Sequence, residues 1–129
     1  MSRSAILCVD DEALILTSLK EQLRRRFGTR YLYETASDAE EAWAVIEELC
    51  QDRIDVLVIV SDWLMPGIRG DEFLIDVHKR HPRIVTVMLT GQADEAAIER
   101  ARQRANLHAC LQKPWREDDL VQAIESALA

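Results

Sequence analysis

Four short clusters carry side chains able to do chemistry: Asp10-Asp11-Glu12, Ser61-Asp62-Trp63, Thr90-Gly91 and Lys113-Pro114. If the fold crowds Asp10, Asp11 and Asp62 into one small volume, they cannot all ionise without a compensating cation. A hard divalent ion with oxygen ligands supplies that charge, and an octahedral site keeping several waters fits Mg²⁺. Lys113 would add a permanent positive charge to the same rim, and Thr90 a hydroxyl donor. One carboxylate is then left as a nucleophile. Carboxylates form aspartyl-phosphate intermediates, and phosphoryl transfer is catalysed mainly by positioning and charge neutralisation. These residue types point to a Mg²⁺-dependent acyl-phosphate site with no separate general base.

The elements that must position these groups alternate along the chain. Runs 5–9, 56–60 and 84–89 are short, β-branched and almost wholly apolar, as suits strands buried on both faces of a parallel sheet. Run 31–36 alternates more, as an edge strand does, and 107–111, interrupted by His108, is a weaker fifth strand. Between them the period becomes helical: Ile15, Leu16, Leu19, Leu23 and Phe27 before Gly28; Ala39, Ala42, Trp43, Ile46 and Leu49 behind an N-cap at Ser37 or Asp38; Phe73, Leu74 and Val77 before Pro82; Leu120, Val121, Ile124 and Leu128 last. Segment 94–105 offers alanines and one large apolar residue, Ile98, so it buries little and is expected to be the loosest helix. Such alternation is the signature of an open α/β sheet with helices on both faces. In such sheets sites lie beyond the carboxyl ends of the strands, at the switch point of strand order. All four chemical clusters follow strands.

Each cluster also has an ordinary structural explanation. An acidic pair after a strand can cap the next helix, a lysine before proline can be surface charge, and Thr-Gly can be a turn. Four such features at the ends of four different strands favour chemistry over coincidence.

The 129 residues carry 16 basic and 23 acidic side chains, a net charge of −7, which excludes nonspecific nucleic-acid binding through a basic stripe. With 48% hydrophobic and 30% charged residues the chain is neither disordered nor membrane-spanning, and no secretion signal opens it. The cysteines, Cys8, Cys50 and Cys110, are three in number, well separated and in apolar surroundings. They read as reduced core thiols of a cytoplasmic protein. Trp43 reads as core, Trp115 as packing against the start of the last helix, and Arg24-Arg25-Arg26 as solvated charge complementing a helix dipole.

Val9-Asp10-Asp11-Glu12, Asp62-Trp63-Leu64-Met65-Pro66 with Gly70, Leu89-Thr90-Gly91 and Lys113-Pro114, taken in this order and spacing, resemble the receiver domain of two-component response regulators over essentially the whole chain. The resemblance implies one receiver domain over residues 1–129, with a flavodoxin-like (βα)₅ doubly wound parallel sheet in strand order 2-1-3-4-5. It implies a phosphoacceptor that assists its own phosphorylation and dephosphorylation rather than an enzyme acting on an external substrate. Asp62 would take the phosphoryl group of a histidine kinase's phosphohistidine. Asp11 and Asp62 would bind Mg²⁺ through their side chains, Leu64 through its backbone carbonyl and Asp10 through water. Lys113 would pair with the phosphoryl oxygens, and the Thr90 hydroxyl would move to hydrogen-bond them. Gln92 falls where the family tunes dephosphorylation. The implied partners are a sensor histidine kinase or phosphotransfer protein, an output domain or effector, and a second copy in a homodimer. No nucleic acid or membrane is implied for these residues.

One position departs from the family pattern. Three residues before the lysine, where the family's switch aromatic stands, this chain has Cys110, which has no ring to swing. His108, two residues earlier on a strand, would share the Cys110 face. The departure keeps a second reading open, a receiver-shaped interaction module that works without phosphate. A third class, a phosphohydrolase of the haloacid-dehalogenase type, would set two aspartates one residue apart, whereas Asp10 and Asp11 are adjacent. A flavin site fails because carboxylates after the first strand would repel the cofactor phosphate.

Overall fold

Period-two alternation within apolar runs sends successive side chains to opposite faces of a strand. Ile6 and Cys8 therefore enter one core layer while Leu7 and Val9 enter another. The computed structural model describes residues 3–91 and 95–129; Gln92 lies outside the described residues. The elements run β1 (Arg3–Val9), α1 (Ala13–Phe27), β2 (Leu32–Ala36), α2 (Ala39–Gln51), β3 (Ile54–Asp62), α3 (Gly70–Arg80), β4 (Val85–Thr90), α4 (Glu95–Arg104), β5 (Leu107–Gln112) and α5 (Glu117–Leu128). The five strands are parallel, in the expected order β2-β1-β3-β4-β5. The more alternating β2 sits at an edge.

Two core layers flank the sheet. Leu19, Leu23 and Phe27 of α1 meet Leu120 and Ile124 of α5 on one face. On the other, Ala42 and Ile46 of α2, Phe73, Leu74 and Val77 of α3, and Ala101 of α4 pack together. At about 1.5–3 kcal/mol for each large side chain buried, α1 is held far more strongly than α4. The latter buries only Ala97 and Ala101 completely, with Ile98 partly covered.

The local stops are chemical. The Asp38 carboxylate accepts the Glu41 amide at 2.8 Å and starts α2. Gly28, at a positive φ of 64°, ends α1 and donates its N–H to the Arg24 carbonyl. The neighbouring arginines do more than complement a dipole. Arg25 pairs with Glu117 at 2.7 Å and Arg26 with Glu125 at 3.1 Å, linking α1 to α5 across solvent. Such exposed pairs contribute about 0–1 kcal/mol each.

Several sequence expectations are corrected. Cys50 is exposed, because the buried stripe of α2 runs through Ala39, Ala42, Ile46 and Leu49 and residue 50 lies one step round the helix. Cys8 alone is fully buried, and that burial pushes its thiol up to about 12. Trp43 is only partly buried: one edge meets Phe73 at 5.7 Å between ring centres, and Arg80 stacks 4.6 Å from its centre. Trp115 reaches α1 rather than only α5, its indole N–H donating to Gln22 at 2.8 Å. His108 does not share the Cys110 face. The β4–β5 register shifts between Thr86 and Val87, and the bulge breaks the alternation. Cys110 faces the α2–α3–α4 layer, while His108 contacts Ser126 of α5 at 3.0 Å.

Candidate functional site

Strand β1 lies between β2 and β3, so the direction of sheet winding reverses at the β1–β3 boundary. Val9 is the register partner of Ser61, and the next residues, Asp10 and Asp62, emerge side by side. Carboxylate oxygens of Asp10, Asp11 and Asp62 all lie within 4.8 Å of one another. Asp10 is fully buried, Asp62 is 6% exposed, and Asp11 stands at the solvent mouth. Asp10 does not cap α1 in the ordinary sense. One of its oxygens accepts the Glu12 amide at 2.8 Å, and the helix starts from Glu12.

Lys113 arrives from the end of β5. Its backbone N–H donates to the Thr90 carbonyl at 2.8 Å, which fixes the chain where β4 and β5 end. Its ammonium lies 2.9 Å from Asp10 Oδ2 and 3.1 Å from Asp62 Oδ1. Three carboxylates face one ammonium, so negative charge is in excess. Burial pushes the Asp62 carboxyl above its usual range; the Lys113 hydrogen bond pulls it down, and the Asp10 and Asp11 charges push it up again. Burial works against the Lys113 cation, yet the hydrogen bonds it donates to two carboxylates, with their charges, outweigh it and hold the ammonium above its ordinary value. The two shifts agree once partners are counted: Lys113 sees two anions, whereas Asp62 sees one cation and two further anions. The donor set is all oxygen, anionic and partly open to water, which fits a hard divalent cation.

A cleft of about 420 Å³ lies over this cluster, lined by Asp11, Glu12, Asp62, Trp63, Leu64, Gly91 and Lys113. Leu64 is 54% exposed at its rim. Thr90, 6% exposed, ends β4 one residue beyond Leu89, the register partner of Asp62. Asp10, Asp11, Asp62, Leu64, Thr90 and Lys113 therefore sit in or beside one cleft.

The Asp62–Trp63 backbone is held by its neighbours. Trp63 donates its N–H to Leu89 and accepts the Gly70 N–H through its carbonyl at 2.6 Å. Gly70 is required by close approach: an added Cβ would overlap the Asp62 carbonyl. Sequence reasoning missed Asp71. Its side chain is fully buried, accepting the Trp63 indole N–H at 3.0 Å and an Arg100 N–H at 2.9 Å. An acid in the first turn of a helix reads as ordinary dipole complement, so only its burial reveals it.

The arrangement can neutralise, orient and transfer a phosphoryl group. The family described as response regulator receiver domain matches residues 6–125. The hydrogenase transcriptional regulatory protein HoxA of Cupriavidus necator is 33% identical over 126 residues, 98% of this chain and 24% of that regulator. The chain thus spans about a quarter of that relative's length. A CheY-like receiver domain protein from Methanospirillum hungatei superposes with a TM-score of 0.83 at 30% identity, covering 99% of this chain and 94% of that one. The beryllofluoride-activated NtrC4 receiver domain dimer gives 0.82 at 28% identity, covering 95% and 94%. Among the described residues no helix is long and apolar enough to cross a membrane. The chain belongs to the response regulator receiver family and is a signalling receiver of the two-component type.

Proposed function

We propose that Asp62 is the phosphoacceptor of this receiver and that the Asp10–Asp11–Asp62 pocket holds Mg²⁺ during transfer. The observation that carries this reading is the convergence of three carboxylates and the Lys113 ammonium at the switch point of the sheet. An Asp62 carboxylate oxygen attacks phosphorus of a phosphohistidine as the P–N bond breaks, and the imidazole keeps the bonding pair. The product is an acyl phosphate. Attack by water at phosphorus later regenerates Asp62 and releases inorganic phosphate. Mg²⁺, when bound, screens the carboxylates and the phosphoryl oxygens from one another. Asp11 and Asp62 would hold it directly, the Leu64 carbonyl would be a third donor, and buried Asp10 would act through water. Lys113 neutralises phosphoryl oxygens, and the Thr90 hydroxyl hydrogen-bonds them.

Partners on this reading are a sensor histidine kinase or phosphotransfer protein on the donor side and an output domain or effector on the other. The NtrC4 receiver is described as a dimer, and a second copy of this chain is the corresponding partner here. The receiver promotes its own phosphorylation, so a small donor should suffice.

Intact mass after incubation with acetyl phosphate and Mg²⁺ tests the proposal. We expect a gain of one phosphoryl group, blocked by EDTA and reversed on standing. No gain, with no metal bound, would favour the phosphate-independent module. Asp11→Asn removes a charged donor at the exposed mouth and should weaken Mg²⁺ binding by about tenfold or more, at least the loss that removal of an outer-sphere partner causes. Calorimetric titration reads this directly; an unchanged affinity would remove Asp11 from the ligand set.

A further inference from the structure

The residue after Asp62 is tied to a helix that does not touch the cleft. The Trp63 indole N–H donates to Asp71 Oδ1, and Asp71 Oδ2 accepts from Arg100 of α4. Arg69 adds a longer contact to Asp71, at 3.4 Å. Asp71 is 0% exposed, so its oxygens are satisfied by these partners rather than by solvent. Removing one partner of a buried ionic group costs far more than removing an exposed pair, so indole, carboxylate and guanidinium are energetically one unit. The helix at the far end is the one with the weakest apolar anchorage, Ala97 and Ala101 with Ile98 only partly covered. A charged tether therefore matters more to α4 than it would to α1 or α3. The near end is Trp63, which lines the acceptor cleft, and whose backbone is pinned to Leu89 and Gly70.

We infer that Asp71 is a positioning residue that orients Trp63 beside the acceptor, and that through Arg100 it couples the loading of Asp62 to the seating of α4. The inference rests on the proposed role of Asp62 and names a route specific to these side chains. It gives the chain a connection that needs no aromatic at position 110. A partner that displaces α4 would act back on the acceptor by the same coupling free energy.

The test uses hydrogen exchange of α4 amides with and without beryllofluoride in Mg²⁺, the mimic that activates the NtrC4 receiver. In the wild-type chain we expect loading to change α4 exchange about fivefold or more, the lower range of allosteric couplings. Arg100→Met, at a side chain 37% exposed, should fold and still load, yet lose this response. Arg100→Lys, which keeps the charge, should recover part of it. Trp63→Phe keeps a ring but lacks the N–H donor, and should be uncoupled like Arg100→Met. Arg102→Met is the control, since Arg102 is 60% exposed on the same helix and its ion pair is with exposed Glu99, at 3.8 Å, rather than with Asp71; it should respond like wild type. A wild-type response in Arg100→Met, or an equal loss in Arg102→Met, would overturn the coupling while leaving the acceptor role standing. A wild-type chain that takes neither beryllofluoride nor phosphoryl group would overturn both.

Discussion

Asp62→Asn is expected to take up no phosphoryl group from acetyl phosphate while remaining folded. The amide has the carboxylate's shape and can still accept from Lys113, but it lacks the anionic oxygen that attacks phosphorus. Stability adds an independent signature. The Asp62 carboxyl sits above its usual range because burial and two neighbouring carboxylates disfavour its charge. A group whose folded pKa is raised binds its proton more tightly in the folded state. Ionised Asp62 therefore lowers stability as pH rises from the ordinary aspartate value through the raised one. In metal-free buffer at neutral pH the Asn variant should be the more stable protein, and the difference should vanish in acid, where Asp62 is protonated. Mg²⁺ should then stabilise wild type, by RT ln(1 + [Mg²⁺]/Kd), more than it stabilises Asp62→Asn. Intact mass and thermal melts with and without EDTA check both halves. Stoichiometric label on the variant would remove Asp62 from the acceptor role, and a metal-free variant less stable than wild type would contradict the electrostatic account.

Gly70→Ala should cost about 3 kcal/mol, the upper end for overpacking, because the new methyl would overlap the Asp62 carbonyl rather than a yielding side chain. Relief requires α3 or the Asp62–Trp63 backbone to shift, and the Gly70–Trp63 hydrogen bond opposes either movement. Labelling by acetyl phosphate should fall with stability, since the displaced backbone carries the acceptor. Gly91→Ala is the matched comparison: its added Cβ meets nothing within 4 Å. Urea unfolding separates the two by a fall in midpoint at unchanged slope for Gly70→Ala alone. A fall of less than about 0.5 kcal/mol, the usual range for a neutral surface change, would show that the loop absorbs the methyl.

Much of this was legible without coordinates because periodicity reports burial directly. Runs such as 56–60 are apolar at every position, and only a strand covered on both faces needs that. The site was legible because its residues end or directly follow strands, and a parallel sheet brings all carboxyl ends to one edge. The misreadings have two causes. Cys50 and Trp43 lie at the margins of a helical stripe, where one step of 100° decides exposure and composition does not. His108 was put on the wrong face because alternation presumes an unbroken ladder, and the bulge beside Thr86 is a property of the paired strands.

The amino-acid sequence by itself determined the element order, the core stripes, the acidic character and the residues that meet at the cleft, since each depends on local pattern or on strand ends. Only the tertiary structure decided how those residues are charged and connected. Lys113 is bracketed by Asp10 and Asp62, and Asp71 is sealed between Trp63 and Arg100. The two Lys113 pairings and the Asp71–Arg100 pair join residues 51, 103 and 29 positions apart. Separations of that kind leave no periodic trace in a chain, because the energy resides in burial and in partners brought together by folding.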